Sequence, residues 1–434
     1  MEASLARRHA TDLRQRKSVA DVTPRRRRDR LPRAVDSAAC RKGGQRLAAT
    51  VAVLPLPARG TAGLRRQHPD AMATRHLVPP TAAAPSADDR WAGWDCFVAA
   101  HRHGSFMQSS AWMRCRRAEG YAHIAVVLRD ERREIVGGAV VGRWSLGEDD
   151  AFYYVQDGPL LPDDPELAQT VMEGLLAHLD RHRHEDEARV SHLRIEPRCP
   201  VDAWPAFASR GFAPPSFDDR FREPRHTRCV DLRGTGDERL AAMTPKGRYN
   251  VRLARRHGVQ VVEDRSERGF ADFLALRGDT ARRRQLGEKS RRYFADILRA
   301  FGPQASLAFA ELDGQRLATA LVLRFADRAT YLFGGSLPQR REVMAPYLLH
   351  HEIMNRLADD GCAAYDLYGT SPPGDAAHPW ASISAFKRRL GGVDLAFVPT
   401  LDLVYDAAGY ARFAAREGRP LPAGTPPAHG PTPS

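Results

Sequence analysis

One lysine stands out in this chain by its residue type and its neighbours. Of the 66 basic residues only five are lysines, and one of them, Lys387, follows Phe386 shortly before two consecutive glycines. A lysine ammonium is a compact charge that a planar guanidinium does not replace, so Lys387 is a candidate for stabilising a negative charge. On the residues alone, the commoner explanation is a solvated basic turn formed with Arg388 and Arg389.

A second group of cations lies on one predicted helix. Residues 237–257 are predicted to be helical, with an interruption near Pro245. The basic residues of this segment are Lys246, Arg248, Arg252, Arg255 and Arg256. Arg248, Arg252 and one of the last two arginines are spaced by three or four residues, so they share one helix face. Like charges on one face repel each other, which favours an anionic partner over solvation alone.

The elements that must hold these residues come from a repeated pattern. Residues 124–196 and residues 307–369 each predict strand, turn, strand, aromatic strand, helix and closing strand, in that order. Chance rarely reproduces both the order of elements and the residues of the turns. The sequence therefore predicts a duplicated α/β (α+β) unit.

Length and charge agree with two domains beside a basic segment. Residues 1–71 contain 17 Lys or Arg and 6 Asp or Glu, a net charge of +11, whereas the rest of the chain contains 49 and 47, a net charge of +2. We predict that residues 1–87, rich in Arg, Ala and Pro, are disordered and that translation starts at Met72. The predicted domains are residues 88–224 and 225–405, and a tail over residues 406–434 is rich in Pro and Gly from residue 418.

Several kinds of site have no signal in this sequence. The six cysteines show no paired spacing, so neither a zinc site nor a disulfide framework is indicated. Residues 47–57 form a short apolar run that two prolines interrupt, which does not predict an export signal or a membrane span. The motifs of zinc proteases and serine hydrolases do not occur. We expect a cytoplasmic protein with no metal.

Four segments resemble one family. They are SFMQS at residues 105–109, DGPL at residues 157–160, KGRYNVRLA at residues 246–254 and ISAFKRRLGG at residues 383–392. In this order they resemble the Fem family of FemA, FemB and FemX aminoacyltransferases, over about residues 88–405. The resemblance implies two tandem GNAT-like acyltransferase domains, each a mixed and mostly antiparallel sheet flanked by helices. The helical hairpin of larger members has no counterpart here, so the chain resembles the compact FemX-like form.

The resemblance implies transfer of an amino acid from an aminoacyl-tRNA to a peptide amine of a peptidoglycan precursor, either the UDP-linked muropeptide or lipid II. It implies direct attack by the amine without a covalent enzyme intermediate. It also implies that the aminoacyl-tRNA is a co-substrate and that no cofactor is used. We expect a monomer that does not bind DNA and that contacts the inner membrane face if the acceptor is lipid-linked.

The resemblance also suggests roles for single residues. Lys387, with Phe386 beside it, becomes the candidate catalytic cation for a tetrahedral oxyanion. Arg116, four residues after the tryptophan that follows the first motif, is expected to bind phosphate. A second phosphate ligand is expected within residues 282–284, and we select Arg284. Arg248 and Arg252 of the basic helix would bind the same anionic substrates. For each of these arginines alone, a solvated helix face is the commoner explanation.

Two further residues complete the predicted site. Tyr331, on the aromatic strand of the second copy, would line the acceptor pocket, but a buried core aromatic explains it equally well. Asp157 would orient an amine, although an Asp-Gly-Pro turn explains it without chemistry. Because the basic helix and Lys387 both flank the second copy, we expect acyl transfer there, in a groove that faces the first copy. The first copy would mainly hold the acceptor.

Two other functions remain open. One is an acyl-CoA-dependent N-acyltransferase that acts on a sugar or a small amine. Such enzymes place a glycine-rich loop at the start of the helix after the fourth strand, where backbone N–H groups bind pyrophosphate. Residues 341–346 read REVMAP, which lacks these glycines and includes a proline. The other is a protein that only binds a glycan precursor, since a fold alone does not establish an activity.

Overall fold

The computed structural model describes residues 52–53, 89–147, 149–219, 222–284, 287 and 289–420. Its strands are β1 (Ala52–Val53), β2 (Ala122–Arg129), β3 (Ile135–Ser145), β4 (Asp150–Val155), β5 (Arg189–Ile195), β6 (His226–Asp231), β7 (Gln260–Glu263), β8 (Ala305–Leu312), β9 (Gln315–Phe325), β10 (Arg328–Ser336), β11 (Ala364–Asp366), β12 (Val393–Ala396) and β13 (Leu401–Val404). Its helices are α1 (Asp89–Ala100), α2 (Ser110–Ala118), α3 (Pro165–Glu185), α4 (Trp204–Ala208), α5 (Gly236–Ala242), α6 (Pro245–Arg256), α7 (Glu267–Arg284), α8 (Arg291–Phe301), α9 (Ala345–Asp359), α10 (Ala381–Arg389) and α11 (Ala407–Glu417), besides short 3-10 turns.

The two sheets confirm the predicted duplication. The first sheet has the strand order β1-β2-β3-β4-β5-β13, and the second has the order β12-β6-β11-β10-β9-β8-β7. In both, the first three strands of the repeat are antiparallel, and a helix then leads into a parallel partner, β5 beside β4 and β11 beside β10. A helix is needed at this point because a hairpin cannot join parallel strands. Each sheet is thus mixed and mostly antiparallel, as expected.

Local sequence explains where the crossover helix of the first copy forms. The side chain of Asp164 accepts a hydrogen bond from the backbone N–H of Leu167 at 2.8 Å, and Pro165 occupies the first turn of α3. The buried residues of this helix are Val171, Met172, Leu175 and Leu179. They lie on one face of the helix, which packs into the core of the first sheet.

An apolar core joins the two domains. Phe106, Trp112 and Cys115 of the first domain lie in one buried cluster with residues of α7, α8 and the second sheet. The ring of Phe106 packs edge-on against Trp112 and against Phe301 of α8, with ring centroids 5.2 and 6.0 Å apart. The first motif and the helix that follows it therefore contribute to the contact between the domains.

The C-terminal boundary of the second domain differs from the prediction. β13 pairs antiparallel with β5 of the first sheet, and α11 packs Phe413 against Phe152. Buried Arg194 holds Asp402 of β13 through two hydrogen bonds of 2.8 and 2.7 Å. The prediction of a second domain over residues 225–405 followed by a tail is thus wrong at this end, because β13 belongs to the first sheet and residues 407–417 form α11. The buried residues of this segment, such as Leu401 and Phe413, pack on strands far away in the chain, a relation that a local pattern does not contain.

Other predictions lie outside the described residues. They concern the disordered segment over residues 1–87, the start at Met72, the apolar run at residues 47–57 and the tail beyond residue 420. Within these ranges the structure describes only β1, which pairs antiparallel with β2. None of the helices in the described part of the chain is long and apolar enough to cross a membrane.

Candidate active site

Lys387 lies on a helix and not in a basic turn. The helix is α10, and its three basic residues have different surroundings. Arg388 pairs with Asp394 at 2.9 Å, Arg389 is exposed, and Lys387 is only 6% exposed. The interpretation as a solvated basic turn is therefore wrong for Lys387. A lysine is rarely buried unless protein groups replace the water around its charge.

Two backbone carbonyls hold the Lys387 ammonium. Nζ donates hydrogen bonds to the oxygens of Tyr368 at 2.9 Å and of Gly369 at 2.7 Å. Burial lowers the pKa of Lys387 to about 8, while the charge of Asp366 acts in the opposite direction. An ammonium has three N–H donors, so one is left over among the described residues. The group can therefore present a directed N–H and a positive charge to a ligand.

Two glycines after α10 set the distance of this helix from the sheet. Gly391 and Gly392 have φ values of +95° and +78°, which favour glycine. A Cβ on Gly392 would lie 2.2 Å from the backbone oxygen of Cys229 on β6. Arg228 of β6 donates to the carbonyl oxygens of both glycines at 2.6 Å. The glycine pair of the fourth motif thus lets α10, and Lys387 with it, approach β6.

The second sheet opens beside Lys387. β10 pairs with β11 over three residues, although β10 continues to Ser336. Tyr331 is the first residue past this pairing, and Lys387 Nζ lies 5.8 Å from the centre of its ring. In the first sheet, by contrast, β4 and β5 stay paired up to Val155 and Ile195, where both strands end. The gap between the parallel strands, where a ligand could reach the backbone of β10, therefore lies in the second domain.

Three aromatic rings form a cluster beside the ammonium. Phe386 and Tyr331 both pack against the ring of His350 on α9, with centroids 5.6 and 4.5 Å away. Burial, and then the charge of Lys387, lower the pKa of His350 to about 3, so its imidazole is neutral. Burial raises the pKa of Tyr331 to about 12, so its phenol keeps the proton. Lys387 is thus the charged member of an otherwise neutral cluster.

Asp157 is linked to Lys387 through other charged groups. Its Oδ2 accepts a hydrogen bond of 2.5 Å from the Ser105 hydroxyl and lies 3.7 Å from Arg198 Nη1. Arg198 Nη2 donates to Oδ2 of Asp366 at 2.8 Å. Burial raises the pKa of Asp157 to about 6, while the Arg198 charge and the Ser105 hydrogen bond lower it. This network leads from the first domain to the carboxylate whose charge acts on Lys387.

Arg116 is held among aromatic rings at the edge of the first domain. Its guanidinium carbon lies 5.6, 4.9 and 5.0 Å from the ring centres of Trp112, Tyr121 and Trp144. Its Nη1 pairs with Glu119 at 2.8 Å. An anion bound by Arg116 would have to compete with this glutamate.

An open cleft between α2 and α8 lies next to this pair. It is lined by Ala118, Glu119, Lys289, Ser290, Arg292 and Tyr293. Ser290 caps α8 by accepting a hydrogen bond from the N–H of Tyr293 at 3.1 Å. Because Ser290 also lines the cleft, the positive end of the α8 dipole borders it, together with the cations Lys289 and Arg292. Lys289 and Arg292 were not among the residues predicted from the sequence. The signal was available, because Lys289 is one of five lysines and precedes a helix cap.

The other predicted phosphate ligands lie elsewhere. Arg284 Nη1 donates to the hydroxyl of Ser382 on α10 at 2.9 Å. Arg248 Nη1 donates to two carbonyl oxygens at the end of α5, at 3.0 and 2.6 Å, so this arginine satisfies a helix terminus. Arg252 is exposed on α6. The structure thus brings Lys387, Phe386 and Tyr331 together, while the predicted arginines do not meet in one groove.

α6 carries an exposed cationic surface. Lys246, Arg252 and Arg256 are exposed, and no carboxylate in the described part of the chain pairs with them, whereas Arg255 pairs with a glutamate of α9 at 2.8 Å. Tyr249 is 50% exposed, and the charged groups of Lys246 and Arg256 lie 5.2 and 5.9 Å from its ring centre. Three cations and one aromatic ring of this helix therefore face solvent.

The groups that hold Lys387 were not predicted from the sequence either. Asp366, Tyr368 and Gly369 lie at or just after the end of the closing strand of the second copy, and Arg198 follows the closing strand of the first. Both strands end at the boundary between the domains. Polar residues at or just after the closing strand of each copy could therefore have indicated the groups that surround Lys387.

Comparison with known proteins agrees with this architecture. Residues 92–203 match the FemAB family, and residues 245–388 match an acetyltransferase (GNAT) domain. A curated relative, the UDP-N-acetylmuramoylpentapeptide-lysine N(6)-alanyltransferase of Weissella viridescens, is 22% identical over 291 residues, which cover 62% of this chain and 84% of the relative. The crystal structure of FemX is similar with a TM-score of 0.66 at 18% identity, over 73% of this chain and 96% of FemX.

Fold and matches together define a transferase built from two tandem GNAT-like domains. The first of these domains matches the FemAB family model, and a FemX-like relative aligns across both domains, so the chain is similar to proteins of the Fem family. The resemblance found in the four motifs is thereby confirmed, and with it the predicted fold and class of enzyme.

Proposed function

We propose that this chain transfers an amino acid from an aminoacyl-tRNA to an amine on the peptide of a peptidoglycan precursor. The observation that carries the proposal is the buried ammonium of Lys387, held by two carbonyls beside the gap between β10 and β11. The name of the Weissella viridescens relative, an alanyltransferase for a muramoylpentapeptide lysine, supports this class of acceptor.

The reaction needs charge stabilisation at one point. The amine nitrogen bonds to the ester carbonyl carbon, the bond from that carbon to the ribose oxygen breaks, and one proton passes from the nitrogen to the ribose oxygen. In between, the former carbonyl oxygen carries a negative charge. A directed donor stabilises such an oxyanion by about 3 kcal/mol, and alignment of both substrates contributes further. The remaining N–H of Lys387 has this role, and the rings of Phe386 and Tyr331 limit access of water to it.

The turn before α9 supports an RNA-linked donor over acyl-CoA. The N–H groups of Val343, Met344 and Tyr347 donate to backbone oxygens of the same turn at 3.2, 3.1 and 3.0 Å, and Pro346 has none. A pyrophosphate at this helix terminus would need such groups. The exposed cations of α6 suit a polyanion, and its tyrosine offers a face for stacking. An aminoacyl-tRNA donor places the reaction in the cytoplasm.

The cleft between α2 and α8 is the proposed site for the diphosphate of the precursor. Lys289, Arg292 and the positive end of α8 border it. Glu119 also lines the cleft, and Arg116 pairs with this glutamate. The first domain would then hold the acceptor, and the second domain would hold the ester.

The test uses the purified full chain in two mixtures. One contains UDP-muropeptide and a set of charged tRNAs, and the other contains acetyl-CoA and amine acceptors. We expect a muropeptide extended by one amino acid in the first mixture, detected by mass spectrometry. Product in the second mixture alone would replace the proposal by a CoA-dependent acyltransferase, and binding without product in both would indicate a precursor-binding protein.

A further inference from the structure

We propose that Tyr368 and Glu223 are positioning residues, and that the hydrogen bond between their side chains lets the first domain set the direction of the Lys387 ammonium. This inference rests on the proposed function, and it concerns how the catalytic cation is aimed. Neither residue was selected from the sequence.

The backbone of Tyr368 has a conformation that few residues other than glycine adopt. Its φ is +59°, a left-handed conformation that persists in a residue other than glycine only when neighbouring groups hold it. Its N–H donates to Oδ1 of Asp366 at 2.7 Å, and its carbonyl accepts from Lys387 at 2.9 Å. Rotation of this peptide would turn the carbonyl away from Nζ. The direction of the ammonium therefore depends on the conformation of Tyr368.

The side chain of Tyr368 reaches the first domain. Its hydroxyl donates a short hydrogen bond to Oε2 of Glu223. Burial, and then the charges of Glu223 and Asp157, raise the pKa of Tyr368 well above its usual value, so the phenol remains a donor. The carbonyl that holds Lys387 and the hydroxyl held by Glu223 thus belong to one residue.

Glu223 is itself anchored at two points of the first domain. Its Oε1 accepts a hydrogen bond of 2.6 Å from Gln156 Nε2, and its N–H donates to the two carboxylate oxygens of Glu196 at 3.0 and 3.1 Å. Gln156 in turn accepts from the indole N–H of Trp112 at 3.2 Å, and this ring lies beside Arg116. The support of Tyr368 is therefore continuous with the part of the first domain that borders the α2–α8 cleft.

The other groups that face Lys387 do not depend on this bond. Asp366 on β11 acts on the ammonium by its charge, and His350 on α9 and Tyr331 on β10 are neutral. Loss of the Tyr368 hydroxyl removes none of them. Its effect on Lys387 must then pass through the backbone of Tyr368, whose carbonyl accepts from Nζ and whose N–H donates to Asp366.

Tyr368→Phe is the direct test, because it removes one hydroxyl and keeps the ring. With UDP-muropeptide and aminoacyl-tRNA, we expect kcat to fall by about 10- to 100-fold while both KM values stay within about threefold, as for a donor that acts in the transition state. Glu223→Gln should show the same division between kcat and KM, and it serves as the second variant if Tyr368→Phe does not fold.

A second measurement reports on Lys387 without turnover. The chain has five lysines, so lysine labelled with ¹³C at Cε gives few NMR signals, and Lys387→Arg assigns the signal of interest. Carbonyls that point elsewhere stabilise the ammonium less. We therefore expect the titration midpoint of Lys387 to lie at lower pH in Tyr368→Phe than in the wild type.

Tyr410→Phe is the matched control, because it removes a similar bond, of 2.7 Å, from a tyrosine to Asp402 in the first domain. It should leave kcat and the Lys387 titration unchanged. If the wild type transfers an amino acid and Tyr368→Phe alters neither quantity, the positioning role is wrong and the proposed function stands. If no mixture is turned over, the proposed function fails, and the titration alone decides whether Tyr368 directs Lys387.

Discussion

Arg198 of the first domain pairs with Asp366 of the second, with 2.8 Å between Nη2 and Oδ2. Its Nη1 lies 3.7 Å from Asp157. Burial works against the charge of Arg198, but the carboxylates of Asp157 and Asp366 raise its pKa above the usual value. One partly buried cation thus pairs with two buried carboxylates at the boundary between the domains.

Replacement of Arg198 by glutamine should destabilise the protein in a pH-dependent way. Removing one partner of a buried ion pair costs about 3–5 kcal/mol, because the other charges remain buried. The loss should be smaller at pH 5.5 than at pH 7.5. The pKa of Asp157 is about 6 even with the arginine present, so this carboxylate takes up a proton at the lower pH. Urea unfolding at both pH values measures the effect.

The control for this prediction is Arg412→Gln. Arg412 pairs with Asp150 at 2.8 Å but is exposed, and such pairs contribute little to stability. We expect a much smaller loss that does not change between the two pH values. Equal losses of stability in Arg198→Gln and Arg412→Gln would contradict the prediction, because the ion pairs of Arg198 would then contribute no more than an exposed pair.

Lys387→Ala should abolish most of the transfer activity. We expect kcat to fall by about 100-fold, which corresponds to about 3 kcal/mol for one oxyanion donor, with small changes in KM. Lys387→Arg should not restore the rate, because a planar guanidinium does not fit a site built from two carbonyls around a compact ammonium. Arg389→Ala removes an exposed charge from the same helix and should have a small effect. A similar loss of kcat in Arg389→Ala would indicate that the total positive charge of α10 matters, and not a specific contact of Lys387.

The rate should fall as the pH rises through about 8. The pKa of Lys387 is lowered to about 8 by burial, so the cation is present below this value and is lost above it. Asp366→Asn removes the charge that raises this pKa, and it should move the fall in kcat to lower pH. The acceptor amine titrates alike in all variants, so the shift between variants reports the enzyme. A shift to higher pH would contradict the assignment.

The contribution of Lys387 to folding stability should increase with pH over the range in which the rate falls. Its folded pKa of about 8 lies below the ordinary value of 10.5, so the unfolded chain binds this proton more tightly in the interval between them. The contribution of Lys387 to stability therefore increases as the pH rises from about 8 to about 10.5. Lys387→Met should flatten this part of the dependence in thermal melts, relative to the wild type.

The exposed cations of α6 should matter for the tRNA donor. Arg252→Gln combined with Arg256→Gln should raise the KM for aminoacyl-tRNA by about 10-fold and reduce the slope of log affinity against log salt by about 2. The KM for the muropeptide should not change. Arg132→Gln combined with Arg181→Gln removes two exposed arginines of the first domain and serves as the control. Equal effects of both double variants would indicate that only net charge matters.

The amino-acid sequence alone was enough to predict the order of helices and strands in both copies and to select Lys387 as the candidate catalytic residue. Turn residues and apolar spacing are local properties, and they placed both copies of the repeat. The predicted interruption near Pro245 is local as well: Thr244, the residue before it, caps α6 by accepting a hydrogen bond from the N–H of Gly247 at 3.2 Å. Lys387 could be singled out because a lysine is rare in this chain.

Only the tertiary structure decided which groups surround that lysine. Tyr368, Glu223 and Arg198 come from three separate parts of the chain, and the first two hold a network that crosses the boundary between the domains. The tertiary structure also bonded Arg284 to Ser382, brought Lys289 to the cleft between α2 and α8, and packed α11 against the first sheet. The physical reason is that burial and hydrogen bonding depend on residues far apart in the chain, whereas periodicity and caps report only on neighbours within one element.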